Sequence, residues 1–166
     1  MTEITYEYRS GIGTDIHRLA PDRRLMLGGV HIPFPLGLLG HSDGDVVLHA
    51  VIDALLGAAG LGDIGMMFPD TDPQWKDADS SELFLRVREH LKKYRWQLVN
   101  ADIIIHAELP KLGPHKGQIR RSVADLLDTD FANVNIKAKT AEGLGPVGRA
   151  EAIEVTCVVL LKRRVK

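Results

Sequence analysis

The sequence predicts an α+β sandwich, with helices on one face of a mixed or mainly antiparallel sheet. Three observations carry that prediction. A helix-length apolar segment, Val46 to Leu56, directly follows a polar stretch, Gly40 to Asp45. Two-residue alternation marks strands at Val134–Thr140 and Glu151–Leu161. Strand-like and helix-like segments run in the order β-β-α-α-β-α-β, with no internal repeat and no domain linker.

Residues 1–7 are polar and read as a flexible extension, leaving 8–166 as a single domain. Tyr8 to Leu19 forms the first strand and Leu25 to Ile32 the second, kinked or folded into a hairpin at Gly28-Gly29. The first helix spans roughly 44–59 and stops near Gly60. Ser42 and Asp45 have the spacing of a capping box at its start. Residues 60–80 form a long loop rich in Gly, Pro and Asp. Its embedded Ile64, Met66, Met67, Phe68 and Trp75 predict order and function. A second helix begins at Asp79 or Ser80, with Leu83, Val87, Leu91 and Tyr94 as its apolar stripe. Trp96 to Glu108 is a third strand, with Ile103, Ile104 and Ile105 buried. A third helix follows Pro114, with Ile119, Val123, Leu126 and Leu127 as its stripe. Residues 141–149 form a Gly-rich turn with a short helix, and Ile153, Val155, Cys157, Val159 and Leu161 share one face of the last strand.

Length and composition bound the function. A chain of 166 residues with 45% hydrophobic and 26% charged content can bury a core without staples. Net charge of −1 argues against a nucleic-acid binder or electrostatic membrane attachment. One cysteine excludes an intramolecular disulfide. The start carries no signal peptide, and no apolar run is long enough to span a membrane. Together these predict a soluble, cytoplasmic protein.

The first helix carries a conflict. It is apolar on nearly every side, yet Asp45, His49 and Asp53 stand on one face at i, i+4 and i+8. Buried charge needs a partner or a metal. Asp15 and His17 project to the same face of the first strand. With His49 they make an oxygen-nitrogen-nitrogen donor set suited to zinc with an open fourth position, and Asp45 or Asp53 could support His49. Taken singly, each of these residues reads better as a surface acid, a surface histidine or a satisfied core histidine; the three together bring the metal reading level with that one. Gly11-x-Gly13 reads more as a bend than a phosphate loop. His41 and Ser42 at the helix start offer donors to an anion. Thr140, Glu142 and Arg149 could serve a phosphate and a hard divalent cation, or be solvated charges on a turn. The loop Ala107 to Gly113, with Lys111, could frame a nucleotide or simply connect two elements.

The motifs Gly11-x-Gly13-x-Asp15-x-His17 and His41-Ser42-Asp43-Gly44-Asp45-x-x-Leu48-His49-Ala50 come first in order. Asp53 to Ala58, Gly62-Asp63-Ile64-Gly65 and Phe68-Pro69-Asp70-Thr71-Asp72-Pro73 follow. Pro110-Lys111-x-x-Pro114-His115 and Lys139-Thr140-x-Glu142-x-Leu144-Gly145-x-x-Gly148-Arg149 complete the series. From about Gly11 to its C-terminus, the chain resembles the 2-C-methyl-D-erythritol 2,4-cyclodiphosphate synthases of the non-mevalonate isoprenoid pathway.

The resemblance implies a substrate, 4-diphosphocytidyl-2-C-methyl-D-erythritol 2-phosphate. Its 2-phosphate attacks the β-phosphorus, closing the cyclic diphosphate and releasing CMP. It implies Zn²⁺ on Asp15, His17 and His49, and Mg²⁺ or Mn²⁺ on Glu142. His41 and Thr140 would be the catalytic stabilisers. Ser42, Asp63, Gly65, Phe68, Asp70, Asp72, Lys139 and Arg149 would bind the substrate. Ala107, Pro110, Lys111, Leu112, Gly113, Lys139 and Thr140 would hold the nucleotide. It also implies a homotrimer with active sites between subunits. The chain departs from the family pattern at Lys139 and Ala141, where many members carry threonine, and at Pro146, where an aromatic is common. A zinc-dependent phosphoester hydrolase and a non-catalytic metal-stabilised trimer are the competing readings.

Overall fold

Two long strands form the spine of the molecule in the computed structural model, which describes residues 4–165. β1 (Tyr6–Ala20) and β7 (Ala152–Arg164) pair antiparallel along nearly their whole length, from Tyr6 opposite Arg164 to Arg18 opposite Ala152. β4 (Gly37–Leu38) joins the outer edge of β1, and β5 (Gln97–His106) the other edge of β7. β6 (Val134–Lys139) closes the sheet in the order β4-β1-β7-β5-β6. All pairings are antiparallel except β5 with β6. A parallel pair needs a crossover, and helix α4 (Lys116–Leu127) supplies it, packing on β6.

The mixed sheet is therefore as expected, and helices cover one of its faces. The larger elements run β-β-α-α-β-α-β-β. The expected order thus lacks one of the two strands, β6 and β7, that follow α4. Tyr6 and Glu7 lie in β1, so the extension expected over 1–7 is shorter; residues 1–3 fall outside those described. Glu7 Oε2 accepts from Arg163 Nε at 2.7 Å, tying the two chain ends together. The second segment divides into a hairpin, β2 (Leu25–Leu27) and β3 (Val30–Ile32). Its two-residue turn is Gly28-Gly29, both at positive φ, where side chains are disfavoured.

Helix α1 (Val46–Ala59) packs flat on β1 and β7, and α3 (Ser80–Lys93) packs on α1. Gly11 and Gly13 explain how close α1 comes. A Cβ on Gly13 would sit 2.0 Å from the Ala50 carbonyl oxygen, and one on Gly11 would sit 2.1 Å from that of Ala54. Neither glycine is a bend; each lets helix backbone rest on strand backbone. The last helix turn ends at Gly60 in the left-handed conformation, as a helix C-terminus favours.

Three details differ from the sequence reading. Asp45, not Ser42, caps α1, accepting from Val47 N and Leu48 N. Ile104 points to the sheet face opposite the helices and is only half-buried, while Ile103 and Ile105 enter the core. Tyr94 is exposed and Phe84 takes the buried place beside Leu83 and Val87. The long loop contains a short helix, α2 (Ile64–Met67), and a 3-10 turn over Pro73–Trp75. A second short helix, α5 (Gly145–Gly148), sits in the Gly-rich turn. Among the described residues, no helix is long and apolar enough to cross a membrane.

Candidate active site

Asp15 and His17 sit two residues apart on β1, on the face toward α1, and His49 comes down from the first turn of α1 to meet them. Asp15 Oδ2 lies 2.8 Å from His17 Nε2 and 3.0 Å from His49 Nδ1. The three donor atoms all fall within 4.8 Å of one another. The histidine rings are 5.2 Å apart between centroids. Gly40 leaves room for the His17 ring, since a Cβ there would lie 2.9 Å from its Cε1.

The other ring nitrogens are already engaged. His17 Nδ1 donates to the Leu39 carbonyl at 2.6 Å, and His49 Nε2 lies 2.9 Å from Ser80 Oγ and 3.1 Å from Ser42 Oγ. A neutral histidine that donates from one nitrogen presents a lone pair at the other. Lone pairs facing a carboxylate oxygen at these distances repel unless a cation stands between them. The donor set therefore fits a divalent metal ion. Without one, a proton does part of the work. Burial disfavours charge on His17, but the Asp15 carboxylate outweighs it and raises the ring above its ordinary pKa. Burial likewise opposes ionisation of Asp15, and hydrogen bonds from His17 and His49 outweigh it, holding the carboxyl well below the usual range.

The triad opens into a cavity of about 400 Å³. His41, Ser42, Asp53, Gly65, Phe68 and Asp70 line it, as the sequence led us to expect for most of them. Pro69, between Phe68 and Asp70 of the same motif, lines it too; Thr14, Ile64, Trp75 and Leu83 also contribute, and were not singled out as site residues. Phe68 and Trp75 meet edge-on at 5.0 Å between ring centroids and form an apolar wall. Asp63 and Asp72 do not line the cavity. They cap α2 and the Pro73 turn, accepting from Met66 N and Gln74 N, respectively.

Asp45 and Asp53 do not support His49. Asp45 is fully buried, and its carboxylate accepts from the backbone N–H groups of Gly28, Gly29, Val47 and Leu48 at 2.6–3.1 Å. Burial pushes its pKa up, and those N–H groups oppose the shift. It fastens the β2–β3 hairpin to the start of α1. Asp53 accepts from Ile64 N at 2.8 Å and so anchors the loop that walls the cavity. The groups beside His49 are Ser42 and Ser80. Ser80 was legible only as a helix start, since the pairing links positions far apart in the chain.

The remaining expected residues stand elsewhere. Thr140 Oγ1 donates to Glu142 Oε1 at 2.9 Å, and Arg149 forks onto Glu151 at 2.9 and 3.1 Å. Ala107 N donates to Lys139 O at 2.9 Å, joining the two loops that leave β5 and β6. Leu112 is buried, while Pro110, Lys111 and Gly113 are not. None of Ala107, Pro110 to Gly113, Lys139, Thr140, Glu142 or Arg149 lines the cavity at the triad. Two and three strand spacings separate β5 and β6 from β1, roughly 10 and 14 Å.

Comparison with known proteins adds independent findings. A model of the YgbB family matches residues 8–162. A relative from Nostoc sp. called 2-C-methyl-D-erythritol 2,4-cyclodiphosphate synthase is 53% identical over 158 residues, covering 95% of this chain and 96% of its own. A solved 2C-methyl-D-erythritol-2,4-cyclodiphosphate synthase in its CDP-bound form superposes with a TM-score of 0.85 at 40% identity, covering 92% of this chain and 99% of that one. The bifunctional IspDF of Campylobacter jejuni gives a TM-score of 0.92 at 43% identity over 96% of this chain but only 43% of the longer protein. With a matched segment that takes in both the sheet and the triad, the chain belongs to the YgbB family.

Proposed function

We propose that the chain converts 4-diphosphocytidyl-2-C-methyl-D-erythritol 2-phosphate to 2-C-methyl-D-erythritol 2,4-cyclodiphosphate and CMP, a lyase step of the non-mevalonate isoprenoid pathway. The Asp15–His17–His49 triad on the floor of the cavity carries this reading, in a chain about half identical to synthases along nearly its whole length. An oxygen of the substrate's own 2-phosphate forms the new bond to the β-phosphorus. The bond from that phosphorus to the bridging oxygen breaks, and CMP leaves with the oxygen. No protein nucleophile is needed.

The barrier is repulsion between two anions together with ring closure. Zn²⁺ on Asp15, His17 and His49 and Mg²⁺ or Mn²⁺ on Glu142 would supply charge neutralisation at the phosphates. His41 is exposed at the cavity mouth, where its ring can donate to a phosphate oxygen, and Thr140 offers a hydroxyl for the β-phosphate. Ser42, Gly65, Phe68 and Asp70 hold the methylerythritol end, with Asp63 and Asp72 shaping the loop. Lys139 and Arg149 bind phosphate, and Ala107 with Pro110 to Gly113 frames the cytidine, helped by Lys139 and Thr140.

Two observations favour shared active sites between copies of the chain, which we read as a homotrimer. The nucleotide residues stand across the sheet from the triad of their own chain. The uncovered face of that sheet exposes Ile12 (66%), Ile16 (51%) and Val158 (45%), with Ile12 and Val158 directly paired. Neighbouring copies covering this face would bury those side chains and bring one copy's nucleotide loops to the next copy's triad. A single cysteine fits a reducing compartment such as the cytoplasm.

Product analysis on the purified protein tests the reaction. CMP and the cyclic diphosphate should appear in equal amounts, and Asp15→Ala should abolish turnover. Ring-opened products would overturn the reading in favour of a metal-dependent phosphoester hydrolase. Ile12→Glu should reduce the particle to a monomer by sedimentation and remove activity; a native protein active as a monomer would overturn the shared site.

A further inference from the structure

We propose that Ser80, held by Asp43, is a positioning residue for His49. Its hydroxyl accepts the ring's Nε2–H and so keeps Nδ1 as the bare nitrogen facing Asp15 and His17. This rests on the reading that the triad holds a metal.

The direction of the relay follows from what each group can do. Ser80 is fully buried at the first turn of α3. Its hydroxyl lies against Asp43 Oδ1. A carboxylate only accepts, so the single hydroxyl proton of Ser80 is committed to Asp43. Only lone pairs remain for His49 Nε2 at 2.9 Å, so with a metal on Nδ1 the neutral ring carries its proton there. Backbone fixes Asp43 in turn. Its Oδ1 accepts from Asp45 N at 3.1 Å, its Oδ2 from Ser80 N at 3.3 Å, and its own N–H donates to the Ala78 carbonyl at 3.1 Å.

Ser42 cannot set the direction, although its Oγ is 3.1 Å from the same nitrogen. It accepts from Gly44 N at 3.3 Å and lies 3.2 Å from Ser80 Oγ, so its proton can turn either way and follows its neighbours. His17 reaches the same state by a shorter route, through the Leu39 carbonyl. A ring that exchanges tautomers presents the ligating nitrogen for only part of the time, and apparent affinity falls by that fraction. Partners of this kind behind a metal-bound histidine typically change metal affinity about 10–100-fold.

The test uses the full chain stripped of metal, with zinc alone as the probe, as wild type, Ser80→Ala and Asp43→Asn. Zinc affinity is measured by competition with a chromophoric chelator. The His49 Nε2–H is followed by ring ¹⁵N–¹H NMR of the zinc-saturated protein, where the metal and not the Asp15 carboxylate faces Nδ1. Wild type should show one Nε2–H protected from solvent exchange. Ser80→Ala should bind zinc about 10–100-fold more weakly and lose that protection. Asp43→Asn should move both readouts in the same direction by less. It also carries the test alone if Ser80→Ala does not fold, because it keeps side-chain volume and the Ser80 hydroxyl. Zinc affinity within twofold of wild type would overturn the proposal. So would weakened affinity with the Nε2–H still protected, which would mean packing and not positioning. Wild-type protein that binds no zinc would instead refute the metal reading beneath it.

Discussion

Replacing Gly13 by alanine attacks the contact that brings the two halves of the metal centre together. The added Cβ would lie 2.0 Å from Ala50 O and 2.6 Å from Ala54 N, both backbone atoms of α1 that no rotamer change can move. Restoring ordinary contact at 3.4 Å requires α1 to retreat by about 1.4 Å. Overpacking against movable side chains costs about 1–3 kcal/mol, and rigid backbone puts this site at about 3 kcal/mol or more. For a chain of this size that lowers Tm by roughly 6–12 °C. Because His49 rides on α1 while Asp15 and His17 stay on β1, the donor set should also open beyond the few tenths of an ångström a metal tolerates, and zinc affinity should drop at least about tenfold. Thermal unfolding at fixed protein concentration and chelator competition measure the two effects. Gly57→Ala is the matched control. It lies in the same helix with nothing within 4 Å of its new Cβ, and should raise stability by about 0.5–1 kcal/mol. A Gly13→Ala protein within 2 °C of wild type would refute the backbone-on-backbone account.

Two further outcomes follow from buried groups. Asp45→Asn keeps the volume but turns an NH₂ toward the Gly29 N–H that now donates to Oδ2, so urea unfolding should show a loss of about 2 kcal/mol; a loss under about 0.5 kcal/mol would mean the hairpin clamp contributes little. Burial pushes the Cys157 thiol up from its ordinary 9.0 to about 12, with the Asp102 charge adding to it. The native state therefore favours the protonated thiol, and its contribution to stability is complete below pH 9 and lost as pH rises from there toward 12. A disulfide reagent at pH 8 should leave the folded protein untouched and label it once urea unfolds it; fast labelling of the native state would contradict that burial.

Much of the site was legible in the residues. Asp15 and His17 share a face because a strand alternates, and His49 belongs to the buried side because its helix is apolar all round. The meeting of the two was not, because it depends on how closely α1 approaches β1, which Gly11 and Gly13 set. Spacing placed Asp45 and Asp53 near His49, but each carboxylate turned to backbone N–H groups instead, one at the hairpin and one at Ile64. Ser80 stayed hidden for the opposite reason: its partner arrives through tertiary packing, and local pattern offers only a helix start. The apolar run Ile103-Ile104-Ile105 misled because a strand with one uncovered face sends its middle residue outward. At the C-terminus, Lys162-Arg163-Arg164 has no strand-like hydropathy; pairing with Tyr6 to Tyr8 and the Glu7–Arg163 contact carry β7 through it.

The loop that walls the cavity is pinned at both ends. Ile64 N holds to Asp53 at one end, while Asp77 N and Ala78 O hold to His41 O and Asp43 N at the other. Flexible residues added between the pins would cost closure entropy that grows only as the logarithm of length, about 0.6 kcal/mol per doubling. Closure entropy thus places almost no limit on how long this segment can be. What holds its length is the packing of Phe68, Ile64 and Trp75 against the core, together with the reach of Gly65 and Asp70 to the cavity, so one segment answers both to the core beneath it and to whatever the cavity holds.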